Sequence, residues 1–366
     1  MNTPSIAIVG SGPSGCYTAQ FLRKQFPDSP ITIFDRLPVR YGLVRFGVAP
    51  DHPGTKAVSQ QFDRLFERDN VIFQGDTEIG SSLTLDELRS TFDCVVLATG
   101  LSEDRTLGIP GENLDGVFGS GRITRLINGH PDSRSEGVAF GNDIVIVGAG
   151  NVAIDLLRLS LTSAADLVSH GVESQTADIV SSPHPRRIHV VSRAIAGNAK
   201  FDIAMIKELT KLDDVRFTAD SLETADGGDD KRIEAINTLL ELPRDDATRE
   251  VQFHFGWVPA EISGSGSVEK IAFDSVDGTK TLELNADTVF TAIGFTEARD
   301  ALIRKEHHTT DESEMDSGYL APGLYCVGWF RRGPTGTIPA NRADAKLVAD
   351  RIIRDFSDST ETKENN

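Results

Sequence analysis

The sequence predicts an α/β protein of two doubly wound, largely parallel sheets, one of them assembled from both ends of the chain. Three observations predict it. The run Ile6-Ala-Ile-Val-Gly10-Ser-Gly12-Pro13-Ser14-Gly15 leads into Cys16-Tyr-Thr-Ala-Gln-Phe-Leu. About 140 residues later Asp143-Ile-Val-Ile-Val-Gly148-Ala-Gly150-Asn151-Val152-Ala153 leads into Ile154-Asp155-Leu-Leu-Arg-Leu. Each is a short β-branched strand, a glycine turn and an apolar-periodic helix. Finally, the buried strand ending Ala98-Thr99-Gly100 is mirrored by Thr288-Val-Phe-Thr-Ala-Ile-Gly294-Phe295, as if the chain crossed between domains twice.

Composition narrows the classes. Acidic residues outnumber basic ones, 55 to 37, for a formal net charge of -18, which argues against nucleic acid as a partner. No apolar run approaches the roughly 18 residues of a membrane span, so no membrane partner is expected. Met1 to Ser5 lacks a charged stretch before its apolar run, so no signal peptide is expected. Cys16, Cys94 and Cys326 are far apart and odd in number, which excludes a disulfide framework and a CxxC redox pair, and no metal site is expected. A cytoplasmic enzyme with borrowed redox power is the expectation.

In order along the chain, Gly10-x-Gly12-x-x-Gly15 fits a dinucleotide fingerprint: a tight turn, a bare backbone facing pyrophosphate, and close helix–strand packing. The phosphate charge would rest on the helix N-terminus, with Pro13 and Ser14 in the turn. Asp35, with Arg36 beside it, ends the next strand Ile31-Thr-Ile-Phe and can take both ribose hydroxyls. The long loop that follows is rich in Arg, Gly and Pro, and Leu107-Gly-Ile-Pro-Gly111 reads as the first crossover. Gly148-x-Gly150-x-x-Ala153 is the second fingerprint, with Asn151 and Val152 opening its helix. Its next strand, Ile188-His-Val-Val-Ser192, ends in Arg193, a base suited to a 2′-phosphate. An acid at one fingerprint and a base at the other point to FAD plus NADP, with NAD as the alternative. Two Rossmann-like dinucleotide-binding domains of the glutathione-reductase type follow, the FAD domain discontinuous at 1–104 and 299–366 and the NAD(P) domain at 105–298. Asp226 to Asp230 reads as a surface turn, and Asp358 to Asn366 as a frayed polar tail.

The segment Gly42-Leu43-Val44-Arg45-Phe46-Gly47-Val48-Ala49-Pro50-Asp51-His52-Pro53 closely resembles the adrenodoxin reductase-like ferredoxin–NADP(+) reductases. The second glycine turn, Phe201 to Glu208, and Gly328-Trp329-Phe-Arg-Arg-Gly-Pro-Thr-Gly336-Thr337-Ile338 resemble the same family. The resemblance runs from Ile6 to about Ile353. It implies that Gly10, Gly12, Gly15 and Asp35 hold the adenosine and pyrophosphate of FAD. It places Leu43, Val48, Trp329 and Gly336 through Ile338 along the flavin, with Gly42, Ala98, Thr99 and Gly100 among the contact positions. The N–H groups of Thr337 and Ile338 would face the electron-rich edge of the ring. His52 and Glu208 would form a polar pair near the nicotinamide, supported by Asp155. The implied activity is hydride transfer between NADPH and FAD, then single-electron transfer to a ferredoxin-type or flavodoxin-like carrier by a monomer. An NADH-preferring diaphorase or quinone reductase, a flavoprotein subunit of a larger oxidoreductase, and a redox sensor are the alternatives. Thioredoxin reductase is rejected for want of a CxxC.

The chain departs from that family in several places. Arg193 is followed by Ala194 where a second arginine is usual, and Arg186 and Arg187 upstream are offered as compensation. Met205 stands where an acid is expected. Against an acidic carrier, the net charge requires a local basic patch. The candidates are Arg122 with Arg125, Lys207 with Lys211, and Arg331 with Arg332.

Overall fold

The computed structural model describes residues 3–181, 185–222, 230–298, 301, 303 and 312–364. They form two units. Unit 1 is Met1–Val48, His52–Glu103 and Phe295–Asn366, and unit 2 is Ala49–Asp51 and Asp104–Gly294.

The sheet of unit 1 runs Tyr319–Ala321, Leu324–Cys326, Cys94–Leu97, Ile6–Val9, Ile31–Phe34, Val71–Gln74. All neighbours are parallel except the first pair. The inner strands are apolar throughout because both faces are covered. On one face the helices Pro13–Gln25 and Ile338–Glu364 bury Leu22, Val348 and Ile352, each wholly removed from water. Each such side chain contributes about 1.5–3 kcal/mol. Leu88, Leu97 and Phe330 fill the other face. Pro13 opens its helix where its missing N–H costs nothing, and Arg23 and Lys24 close it against the negative end of the dipole. Of the tail expected to fray from Asp358, residues 358–364 belong to the 27-residue helix Ile338–Glu364, and residues 365–366 lie outside the described residues. No Gly or Pro follows Pro339, and the i,i+4 pairs Lys346–Asp350 and Arg351–Asp355 support it.

The sheet of unit 2 is parallel throughout: Val117–Gly119, Thr288–Thr291, Asp143–Val147, Arg187–Ser192, Arg249–Phe255, Val215–Ala219. An antiparallel meander of Trp257–Ser263, Lys270–Ser275 and Thr281–Asn285 follows. Leu107–Gly111, read as a crossover, lies inside unit 2: a Cβ on Gly111 would sit 1.8 Å from the Ile262 carbonyl oxygen. Of the expected turn at Asp226 to Asp230, residues 226–229 lie outside the described residues. Asp230 begins the helix Asp230–Leu240.

Three strands of unit 2 are pinned by a buried polar chain. His254 Nδ1 lies 2.9 Å from Asp220 Oδ2, and His254 Nε2 lies 2.9 Å from His189 Nδ1. A carboxylate only accepts, so His254 Nδ1 donates to Asp220, and one hydrogen bond joins its Nε2 to His189 Nδ1. Trp257 Nε1 also donates to Asp220, at 3.1 Å. Burial, then the neighbouring His254 and Arg187, pushes the His189 imidazole down from 6.5 to about 4. The fold therefore holds it neutral where the unfolded chain would protonate it. Its contribution is fully present above about pH 6.5 and is lost as pH falls toward 4, about 3 kcal/mol in all. Urea denaturation across that window should show the wild type losing stability more steeply than His189→Gln, and parallel slopes would refute this.

Candidate functional site

Each unit carries one candidate site, built on its glycine turn. In unit 1, Gly10 has φ +111°, and a Cβ there would lie 2.4 Å from the Ala98 carbonyl oxygen. A Cβ on Gly15 would lie 2.0 Å from the Gly10 carbonyl oxygen. Both glycines are demanded by packing. Gly12 is different: a Cβ would meet nothing within 4 Å, so its face of the turn is open. That open face lies at the start of a 13-residue helix with no acid in its first turn, where unpaired N–H groups and the dipole favour an anion.

Asp35 is fastened to this turn. Its Oδ2 accepts from Ser11 N at 2.8 Å and Ser11 Oγ at 2.5 Å, and its Oδ1 accepts from Leu37 N at 3.0 Å. Three of roughly four acceptor positions are thereby taken. The carboxylate has room for about one ribose hydroxyl rather than the two expected. Arg36 beside it is exposed.

The loop after Asp35 lies across the turn. Tyr41 N donates to Ser11 O at 3.1 Å, and a Cβ on Gly42 would lie 3.1 Å from Gly12 Cα. Tyr41 is buried at φ +90°, an unusual conformation for a residue with a side chain, and its hydroxyl is held by Asp63. Burial and that bond push its phenol up. Tyr41 and Asp63 were not singled out by sequence, since neither belongs to a glycine motif. Leu43 and Val48 are half-buried beyond Gly42, and Val48 N donates to Leu43 O at 2.9 Å. His52 is half-buried and precedes the short helix Pro53–Lys56. Thr99 is exposed, and Gly100, at φ +69°, has open space around it.

The C-terminal stretch completes the unit 1 site. Gly328 packs on Ser14, whose Oγ would be 2.2 Å from an added Cβ. Trp329 stacks on Phe295 with ring centroids 5.6 Å apart, and its Nε1 donates to Thr335 O at 3.2 Å. Gly336, Thr337 and Ile338 then enter the long helix. The N–H groups of Thr337 and Ile338 stand at its very start, where the helix itself offers no acceptor. Arg331 and Arg332, expected as a docking patch, are instead bound to Asp344, which is 5% exposed. A buried carboxylate draws its counter-charges inward, so this pair is an internal clamp.

In unit 2 the geometry repeats. Gly148 has φ +123°, and a Cβ would lie 2.2 Å from the Ala292 carbonyl oxygen, whereas Gly150 again faces open space. Ala153 is fully buried in the third-glycine position. The helix Asn151–Ser160 also has no acid in its first turn. Asn151 Oδ1 accepts from Asp202 N at 2.7 Å, which ties the 198–202 loop to the turn; Val152 beside it is half-buried. Arg193 is exposed just past its strand, but Arg186 and Arg187 cannot compensate for Ala194. They stand at the opposite end of Arg187–Ser192, about 20 Å away at some 3.3 Å per residue, and Arg187 pairs with Asp143.

The catalytic candidates of unit 2 converge on a residue that sequence did not single out. Arg158, 6% exposed, pairs with Asp51, with Asp155 at 2.5 Å and with Glu208 at 3.4 Å. Burial lowers the guanidinium's pKa, while Glu208 opposes that shift. Met205, in the place of the missing acid, is a core residue at 8% exposure. Of the remaining basic pairs, Arg122 lies over the Phe118 ring and Arg125 is 3.9 Å from Asp104, whereas Lys207 and Lys211 are exposed.

All three cysteines are buried and free, and burial pushes the Cys16 and Cys94 thiols up. Among the described residues there is no cluster that could hold a metal, and no helix is long and apolar enough to cross a membrane.

Comparison with known proteins agrees with this architecture. Residues 4–235 match the family described as pyridine nucleotide-disulphide oxidoreductase. The chain is 45% identical over 360 residues to cindoxin reductase of Citrobacter braakii, spanning 97% of this chain and 78% of that protein. It is 30% identical over 400 residues to a probable mitochondrial NADPH:adrenodoxin oxidoreductase of Schizosaccharomyces pombe, spanning 100% of this chain and 85% of the other. The structure of Mycobacterium tuberculosis FprA in complex with NADPH matches with a TM-score of 0.89 at 28% identity, covering 99% of this chain and 87% of that one. The chain thus belongs to the pyridine nucleotide-disulphide oxidoreductases, within the group of adrenodoxin reductase-like ferredoxin–NADP(+) reductases.

Proposed function

We propose that this chain is an FAD-dependent ferredoxin–NADP(+) reductase, with FAD on unit 1 and NADP on unit 2. One observation carries the reading. Two glycine turns of the same geometry, each with an open central glycine, are followed by strands ending in opposite charges, Asp35 and Arg193. The open faces of Gly12 and Gly150 fit a pyrophosphate laid on a helix N-terminus. Asp35 takes a ribose hydroxyl of FAD, and Arg193 takes the 2′-phosphate that distinguishes NADP from NAD.

Bound FAD supplies an acceptor for a hydride whose two electrons it can return singly. The chain's own residues do the rest. Leu43, Val48 and Trp329 wall the flavin, with Gly42, Ala98, Thr99 and Gly100 leaving backbone to contact it. The N–H groups of Thr337 and Ile338, at the positive end of a long helix, stabilise negative charge on the ring's pyrimidine edge. On this reading His52, in unit 1, would carry the proton that accompanies flavin turnover, and Glu208, held in unit 2 by Arg158 beside Asp155, would orient the nicotinamide.

The electron acceptor is an iron–sulfur protein of the ferredoxin type or a flavodoxin-like protein, and the chain acts as a monomer in the cytoplasm. The names of the relatives support the first carrier class, and three free buried cysteines suit a reducing compartment. FAD-loaded protein should reduce cytochrome c with NADPH only when ferredoxin or flavodoxin is added. Equal reduction without either carrier would contradict a carrier-specific reductase. Ala194, in place of a second base, favours a second reading as an NADH-preferring diaphorase of the same build.

A further inference from the structure

We propose that Lys200 is a pyrophosphate-binding residue of the nicotinamide dinucleotide site, supplying a positive charge beside its glycine turn. The proposal rests on the reductase reading given above.

The argument starts from the two glycine turns. In each, a later segment of chain crosses the turn and donates one backbone hydrogen bond to the carbonyl of the residue between the first two glycines. In unit 1 Tyr41 N donates to Ser11 O, and in unit 2 Lys200 N donates to Ala149 O, both at 3.1 Å. That bond pairs Lys200 with Gly150 in an isolated parallel β-bridge of the backbone, and Gly150 is the glycine with nothing within 4 Å of its Cβ position. Lys200 and Tyr41 therefore occupy the same place in two copies of one architecture.

Their side chains do opposite things. Tyr41 turns inward, buried and bonded to Asp63, and brings no charge to its turn. Lys200 is exposed, and no salt bridge or side-chain hydrogen bond holds its ammonium among the described residues. Its flexible stem starts beside the open face of Gly150 and the N-terminus of the helix Asn151–Ser160. The nearby acid Asp202 is occupied otherwise, since its carboxylate caps the next helix by accepting from Ala204 N. In a chain of net charge -18, an anionic dinucleotide needs a local cation to offset the general repulsion. Next to Gly150 that cation meets the pyrophosphate, which NADP and NAD share, whereas Arg193 meets only the 2′-phosphate.

The two assignments separate cleanly by calorimetry on FAD-loaded protein, titrating NADP+ and NAD+ into wild type, Lys200→Ala, Lys200→Arg and Arg193→Ala. Lys200→Ala should weaken both nucleotides by the same factor, about five- to tenfold for one charge-assisted contact. Lys200→Arg should restore most of the affinity, and Arg193→Ala should weaken NADP+ alone. Unchanged affinity for both nucleotides in Lys200→Ala would overturn the proposal. Weakening of NADP+ alone in that variant would overturn it too, by moving Lys200 to the 2′-phosphate. A wild type that binds neither nucleotide would instead sink the reductase reading itself.

Discussion

Gly12→Glu should give a folded chain that takes up no FAD. The position tolerates a side chain sterically, because nothing lies within 4 Å of its Cβ and its φ of -67° suits any residue. An acid at the head of the helix Pro13–Gln25 also favours that helix slightly. What the substitution removes is the open face and its positive potential, since a carboxylate would fill the one and repel pyrophosphate from the other. FAD affinity should fall by a factor of about 100 or more, because several charge-assisted hydrogen bonds to the pyrophosphate would be broken at once. The neighbouring Gly15→Ala should act in the opposite way. Its Cβ would lie 2.0 Å from a backbone oxygen that cannot move aside, so the fold itself should lose about 2–4 kcal/mol. Fluorescence titration with FAD, beside urea denaturation of the FAD-free chains, separates the two outcomes. A Gly12→Glu protein that binds FAD as the wild type does would contradict the placement of pyrophosphate on this turn.

Arg158→Leu should be among the most damaging single changes in unit 2. It leaves Asp51, Asp155 and Glu208 facing one another without the buried cation that holds them. Removing one partner of a buried ion cluster typically costs about 3–5 kcal/mol, because the charges left behind stay partly out of water. Lysine should rescue only part of this, since a single ammonium cannot reach three carboxylates as a planar guanidinium does. Glu208 would also lose its fixed position, and Asp51 directly precedes His52, so flavin reduction should slow by at least about tenfold, the scale of a misplaced general acid–base group. Urea denaturation and single-turnover reduction by NADPH check the two effects. Stability within about 1 kcal/mol of wild type, the scale of a surface ion pair, would show the cluster to be incidental.

The architecture was largely legible because its signals are local. A glycine whose added Cβ would lie 2.4 Å from a neighbouring carbonyl oxygen, or one that begins a helix on open space, writes itself into a few consecutive residues, as at Gly10 and Gly12. The places of Asp35 and Arg193 were legible for the same reason, each closing the strand after a turn. Arg158 was not, because an arginine on a helix resembles a solvated one until residues 51 and 208 are brought beside it. Arg331 and Arg332 misled in the opposite direction. Two adjacent bases read as surface, yet Asp344 on the next helix holds both. Arg186 and Arg187 lie close to Arg193 in sequence but at the far end of the same strand, since an extended chain carries six residues about 20 Å. Lys200 belongs to no motif, and only the bridge to Gly150 gives it a place.

The most direct test of the central claim is anaerobic stopped-flow reduction of the FAD-loaded protein by NADPH and by NADH, following the loss of flavin absorbance. NADPH should reduce the flavin at distinctly lower concentration, and Arg193→Ala should erase that advantage while leaving the NADH reaction in place. Equal reduction by the two nucleotides in the wild type, or a preference for NADH, would contradict Arg193 as a 2′-phosphate clamp and with it the assignment of this chain as an NADP-dependent reductase.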